Sequence, residues 1–350
     1  MKRVLYFITA GLLVFNACTV TKKDKVSKGA VVAFYNVENL FDTIDTPGVN
    51  DIDFTPEGKY QWDAARYASK LNKLGEVIAD LGADEGFDGP SVIGLCEVEN
   101  KAVLEDLVAN DQIDPLGYEI VHYDSPDKRG IDVALFYKVS DFKLAKSSIH
   151  PLIIHDKESG DRVYTRDQLL VEGELKGDFV YLIVNHWPSR YGGEERSRPS
   201  RLAAAQLNKS IIDSILHVNA NAKIISMGDL NDDPHNVSLK QGLQACSFTN
   251  CCANNNCSLF NAMEQLHQPD SIGTLMYRGK WNLFDQMIIT KALMDKSNEG
   301  LKYDTAKIYN KPYLIQQEGK YKGHLLRTFG GRTYLDGYSD HLPVYMILTK

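Results

Sequence analysis

No stretch of this 350-residue sequence is apolar for long enough to cross a bilayer. The longest apolar run, Val4 to Phe15, falls short of the roughly 20 residues that a spanning helix needs. Basic residues are also in short supply. The 39 Lys and Arg against 46 Asp and Glu leave a net charge of −7, which argues against a protein that grips nucleic acid through a broad basic face. A local phosphate site survives that exclusion, because a bound divalent cation inverts the potential around it. The chain has neither a GxGxxG fingerprint nor a Walker A loop, so the commonest glycine-rich phosphate cradles are excluded. It also has no internal repeat and no paired C-x2-C spacing.

At the N-terminus, Lys2 and Arg3 precede the apolar run, and small residues then lead to Cys18, the pattern of an export signal over 1–18. The run "FNAC" resembles a loose bacterial lipoprotein signal, in which the cysteine carries the lipid; Phe15 stands where leucine is usual, so cleavage without lipidation stays open. Residues 19–28 read as a tether and 29–350 as one large domain. The expected location is the bacterial cell envelope, with a lipid anchor to the membrane. Cys246, Cys251, Cys252 and Cys257 form "CSFTNCCANNNC", expected to hold one or two disulfides of unspecified pairing outside the cytoplasm, with a four-thiolate zinc site as the alternative.

Ten strand-like segments run from "AVVAFYNVE" to "HLPVYMILT", some alternating with period two and others continuously apolar, as when a strand is covered on both faces. Two helices show apolar residues at three and four spacings, "DAARYASKLNKLGEVIADLG" with Gly82 as its stop, and "RLAAAQLNKSIIDSILH". A third begins near Asn100. Many strands and few helices predict an α+β fold of two packed sheets with helices on the outer faces, a four-layer α/β/β/α sandwich. The segment from about 243 to 280 reads as a long irregular insertion.

Polar residues recur where these strands end: Asn36 and Glu38, Glu97 and Glu99, Asn185 and His186, Asp229 and Asn231, Asp285, then Asp340 and His341. Each alone is an ordinary turn former. Their repetition points to one rim, where converging carboxylates repel unless a cation joins them.

The order and wording of these motifs, from "FYNVENLFD" through "GDLND" to "YSDHLPVYM", resemble the endonuclease/exonuclease/phosphatase superfamily over nearly the whole chain after residue 30. The resemblance implies a DNase I-like fold and metal-dependent hydrolysis of phosphoric esters. It implies Glu97 as the principal metal carboxylate, Asn36 close to the metal, and Asp340 as a second carboxylate serving it. Hard oxygen donors of this kind suit Mg²⁺ or Mn²⁺. Asp229 and Asn231 match the pair that orients the attacking water, His186 the histidine on the phosphoryl group, and His341 the catalytic imidazole with Asp285 behind it.

Further readings concern substrate contacts. Arg166 is expected to brace a site carboxylate or meet a phosphate, and Arg190 and Arg201 to reach a terminal phosphate or a flanking nucleotide. Tyr123 is expected to be either a phosphate-binding tyrosine or a core residue. Glu99 is expected in a surface salt bridge, and Asp232, Asp233 and Pro234 as the end of their segment. The expected substrate is a phosphodiester in nuclease-like fashion. The alternatives are a phosphomonoester such as a nucleotide or a sugar or inositol phosphate, a sphingomyelin-like lipid, or a silent binding lipoprotein. Nothing points to an obligate protein partner.

Overall fold

The computed structural model describes residues 29–156, 158–248, 257–268, 270–297 and 299–350. The expected signal and tether, with Cys18, Cys251 and Cys252, lie outside them. Two six-stranded sheets dominate. The first runs, edge to edge, through Lys302–Ile308, Val344–Thr349, Gly29–Leu40, Val92–Val98, Asp132–Lys138 and Tyr118–His122. The second runs through Leu259–Asn261, Asp285–Thr290, Lys223–Asp229, Asp178–His186, Gln168–Leu175 and Phe142–His150. Each sheet has a single parallel pair at its centre, Gly29–Leu40 with Val92–Val98 and Lys223–Asp229 with Asp178–His186, and antiparallel strands elsewhere.

Alternation along Gly29–Leu40 explains the layering. Val32 and Phe34 enter the core between the sheets, where they meet Leu182, Val184, Met227 and Met287. Val31, Ala33 and Tyr35 point the other way, onto Leu74, Val77 and Ile78 of the helix Ala64–Asp80 and Leu104 of the helix Lys101–Val108. The second sheet turns Ile183, Ile224 and Ile288 outward onto Ala204, Ala205, Ile211 and Ile212 of the helix Glu194–Val218. Helix, sheet, sheet, helix is the expected sandwich. Each fully buried large aliphatic contributes about 1.5–3 kcal/mol, so both sheets are held against one shared core.

The helix ends follow local chemistry. Asp63 accepts the Arg66 N–H and Asn100 accepts the Val103 N–H, so both helices of the first sheet start on a side-chain cap. Gly82 stops the first of them at φ 86°. The third helix starts earlier than its apolar pattern, at Glu194, and passes through Pro199. Only the "RLAAA" half carries the periodicity that sequence can show. The expected loop from 243 to 280 is also more ordered than its composition suggests. Leu259–Asn261 edges the second sheet, and Leu275–Tyr277 pairs with Lys280–Asn282 as a hairpin. A disulfide joins Cys246 and Cys257, so neither is free to be a zinc thiolate.

The topology positions the site. The central parallel strands of both sheets end at the same rim with Asn36, Glu97, His186 and Asp229. An antiparallel neighbour starts where they end, so Asp229 stands opposite Asp285 in register and His186 opposite Asp229.

Candidate active site

Four of the non-glycine residues with positive φ lie on this rim: Glu38 at 51°, Asn39 at 54°, Glu97 at 62° and Asn231 at 51°. Such backbone costs about 1–3 kcal/mol each and persists only where the surroundings impose it. Between Asn36 and Leu40, and between Cys96 and Val98, the strand register shifts, and the resulting bulge re-aims Glu97. Gly228 has its own reason. A Cβ there would lie 2.3 Å from the Asn185 carbonyl oxygen, so only glycine lets Asp229 follow.

Asp229 is the hub. Its Oδ1 accepts the Asn231 N–H at 2.9 Å, and its Oδ2 accepts Asn36 Nδ2 at 3.1 Å. The same Asn36 amide donates to Glu97 Oε1 at 3.3 Å, and the Asn39 N–H donates to Glu97 Oε2 at 3.0 Å. His186 Nε2 stands 3.7 Å from Asp229 Oδ2 and 3.8 Å from Glu97 Oε1. On the other side His341 Nε2 is 3.9 Å from Asp229 Oδ2, while its Nδ1 shares a 2.7 Å hydrogen bond with buried Asp285. Ser339 ties the last segment to the first strand: its Oγ donates to the Asn36 carbonyl and accepts the His341 N–H.

Burial and charge set the two imidazoles apart. Burial, then Arg166, Arg129 and His341, drive His186 well below the ordinary histidine range, so it is neutral. Burial opposes protonation of His341 too, yet Asp285 and Asp229 raise it well above that range. Burial pushes Asp229 up to about 7, with His341 opposing.

Glu97, the principal donor expected to hold a divalent cation, is placed for one, whereas Asn36 already spends its Nδ2 on Glu97 and Asp229 and its Oδ1 on the Glu38 N–H. Glu97 pairs with no lysine or arginine among the described residues, keeps some solvent exposure, and presents hard oxygens beside Asn36. Asp340 Oδ2 lies 2.7 Å from Arg327 Nη2, and the same guanidinium binds Glu38 Oε1 at 2.8 Å. Among the described residues, Asp229, Asp285 and His341 form one group close enough to share a cation, and His122, Asp124 and Asp132 form another.

The arginines require correction. Arg201 is fully buried, its Nε 2.8 Å from Asp232 Oδ1 and its Nη1 on Ser197 Oγ. Arg190 donates to the Asn231 carbonyl and reaches Asp232, Asp233 and Asn236, with its guanidinium over the Phe284 ring. Both brace the turn that carries Asn231, since a buried carboxylate such as Asp232 demands a cation. Burial closes Arg201 off from a phosphate, and Arg190 has its donors on protein acceptors. Asp232 also accepts Ser238 Oγ and Asp233 accepts the Leu283 N–H, the segment-ending roles expected of them.

Arg166 braces an acid, donating to Asp127 at 2.9 Å and to the Trp187 carbonyl, which Asn231 Nδ2 shares. Tyr123 is 38 % exposed and bonds Ser147 Oγ, so it is no core residue, and no contact among the described residues joins it to the cluster. Glu99 is buried, accepts the Asp42 N–H and Thr46 Oγ1, and makes no surface salt bridge among the described residues.

Sequence reasoning missed three residues, Arg327, Arg129 and Lys70, and the partner of a fourth, Glu38. Glu38 and Arg327 meet across the whole chain, and no local pattern announces such a pair. Arg129 acts on His186 from a loop. Lys70 is buried, donating to Thr328 Oγ1 and the Tyr338 carbonyl. It did leave a signal, a lysine four residues before Leu74 on the apolar stripe.

Comparison with known proteins agrees with this architecture. A family model described as endonuclease/exonuclease/phosphatase family matches residues 31–350. Among solved structures, a humanized TDP2 of D. rerio is 17% identical, covering 93% of this chain and 100% of that one at a TM-score of 0.53. The mannosyl-6-phosphatase of Bacteroides thetaiotaomicron VPI-5482 is 15% identical, covering 92% and 100% at 0.55. The catalytic domain of human Nocturnin with bound sulfate is 17% identical, covering 92% and 93% at 0.52. At these identities the likeness shows the fold alone. No curated protein sequence matches.

Proposed function

The chain belongs to the endonuclease/exonuclease/phosphatase family, and from that premise we propose that it hydrolyses small phosphoric esters with Mg²⁺ or Mn²⁺. The observation that carries the reading is Asp229, set between two oppositely tuned histidines and hydrogen-bonded to both Asn36 and Asn231.

A divalent cation held by Glu97, Asn36 and Asp340 would supply charge neutralisation at the phosphoryl oxygens. The protein's own groups do the rest. Asp229, its pKa near 7, accepts the proton of the attacking water. Neutral His186 donates a hydrogen bond toward the phosphoryl group. His341, kept cationic by Asp285, faces the negative charge that grows in the transition state. Asn231 holds the Asp229 carboxylate in line through its backbone N–H.

Within the family's range we propose a small ester in place of the expected nuclease-like diester. Arg190 and Arg201, the residues that would have followed a nucleic-acid strand, are spent on Asp232. The overall charge of −7 supports the same choice. The mannosyl-6-phosphatase among the structural neighbours is named for a small substrate, which is compatible with it.

A substrate panel tests the reading: p-nitrophenyl phosphate, its bis ester, nucleotides, sugar phosphates, sphingomyelin, and single- and double-stranded DNA and RNA, each with Mg²⁺, Mn²⁺ or excess EDTA. Turnover of small esters that EDTA abolishes is expected. Full activity in EDTA, or a clear preference for polymeric DNA, would overturn it.

We also propose export and lipid anchoring, on Lys2, Arg3, the run to Phe15 and Cys18. The Cys246–Cys257 disulfide suits an oxidising compartment. Labelling with a fatty acid should mark the wild type and not Cys18→Ser; equal labelling would sink the anchor.

A further inference from the structure

A pocket of about 270 Å³ opens directly beside Asp340. Leu275 pairs with His341 across an isolated bridge, so the next residue, Met276, brings one wall to the edge of the site. The opposite wall comes from the segment before the last strand. There Gln316 and His324 are locked face to face, because the Gln316 N–H donates to the His324 carbonyl and the Gly323 N–H returns to Gln316. Gln316 Nε2 is committed to the Leu325 carbonyl at 3.0 Å, which leaves its Oε1 as an acceptor. Tyr321, 51% exposed, presents a ring. Arg327 spends Nε and Nη2 on Glu38 and Asp340.

We propose that this pocket is the subsite for a single hydroxylated ring, so that the substrate is a sugar phosphate whose ring packs on Tyr321 while its hydroxyls meet Gln316, His324 and Arg327. The proposal rests on the phosphoester-hydrolase reading above. Three observations select the occupant. The volume of about 270 Å³ sits at the low end of small-molecule sites, the size that a single ring fills. The lining mixes apolar surface from Met276 and Leu325 with donors and acceptors, as the alternating C–H and O–H faces of a sugar require. The Tyr321 and His324 rings meet edge to face at 75° and 5.7 Å, so they form no parallel slot for a flat base. Asp340 links pocket and reaction, since it borders the pocket and is the carboxylate assigned to the metal.

The experiment compares catalytic efficiency on hexose 6-phosphates, AMP, a 5′-phosphorylated oligonucleotide and methyl phosphate, in wild type, Tyr321→Ala and Gln316→Ala. The wild type should favour at least one hexose phosphate over methyl phosphate by about a hundredfold, and each variant should cut that ratio about tenfold, mainly through KM. Saturation-transfer NMR on glucose, mannose and galactose, each without phosphate or metal, provides an independent arm. A transfer signal lost in Tyr321→Ala is expected. Equal efficiency on methyl and hexose phosphates, preference for AMP or the oligonucleotide, or proportional loss on every ester would overturn the subsite. An enzyme that turns over no ester yet shows Tyr321-dependent sugar binding would keep the subsite and remove the hydrolase reading. If both arms are silent, both fall.

Discussion

Asp285 reaches His341 through a single 2.7 Å hydrogen bond in a fully buried position, so its charge rather than its shape keeps the imidazole cationic. Asp285→Asn preserves the volume and one acceptor while removing that charge. Its turnover should fall about 10²- to 10⁴-fold with little change in KM, by analogy with other carboxylate-supported imidazoles. Initial rates on the best substrate of the panel decide the matter, and a rate within a few-fold of wild type would remove His341 from its proposed role.

Lys70 makes a different demand. Burial drives its pKa down to about 8, against the pull of Glu38, Asp340 and Glu97. Between there and the ordinary lysine value the unfolded chain holds a proton that the native protein has released, so this group's contribution to stability rises with pH across that window. Below pH 8 both states are protonated and the full cost of burying the charge is present. The wild type should therefore gain on Lys70→Met by about 2–3 kcal/mol between pH 8 and 10 in urea titrations. A pH-independent difference between the two would mean that Lys70 is buried without strain on its charge.

The turn after Lys223–Asp229 depends on the helix behind it. Arg201 sits on the first turns of Glu194–Val218, and its bond to Asp232 fixes the segment that delivers Asn231 to Asp229. Arg201→Met leaves Asp232 buried with only Arg190 beside it, and stability should drop by about 3–5 kcal/mol. Chemical denaturation measures this directly. A phosphate ligand would behave in the opposite way, with unchanged stability and a raised KM.

The same region marks where elements were readable from sequence. Strands covered on both faces announce themselves as continuous apolar runs, and strand ends as polar residues, which is why Asn36, Glu97, His186, Asp229 and His341 could be placed beforehand. The start of Glu194–Val218 could not, because Pro199 reads as a stop, yet the helix runs through it. Arg190 and Arg201 looked free because the acid they share, Asp232, lies 42 and 31 residues away in sequence. Glu38 and Arg327 are farther apart still, at 289 residues, and their pairing exists only once the two ends of the chain meet in one sheet.

No single sheet contains the site. Asn36, Glu97, Asp340 and His341 belong to the first sheet or the segment leading into it, whereas His186, Asp229 and Asp285 belong to the second. What joins them is the apolar layer between the sheets, in which Phe34, Cys96, Leu182, Val184, Met227 and Met346 are all fully buried. Interiors packed to crystal-like density do not slide by small amounts; they hold or they separate. Catalysis also tolerates little, since a displacement of about 1 Å in a site group can cost a hundredfold in rate. Loss of activity should therefore coincide with loss of the core. In urea, the midpoint for turnover should match the midpoints for tryptophan fluorescence and far-ultraviolet circular dichroism. Met227→Ala, which opens a cavity beneath Asp229 without touching it, should lower all three midpoints together, at a stability loss of about 2–5 kcal/mol. If turnover vanished well before either spectroscopic signal, the sheets would be moving against each other while still folded, and the shared core would not be what holds the two halves of the site in place.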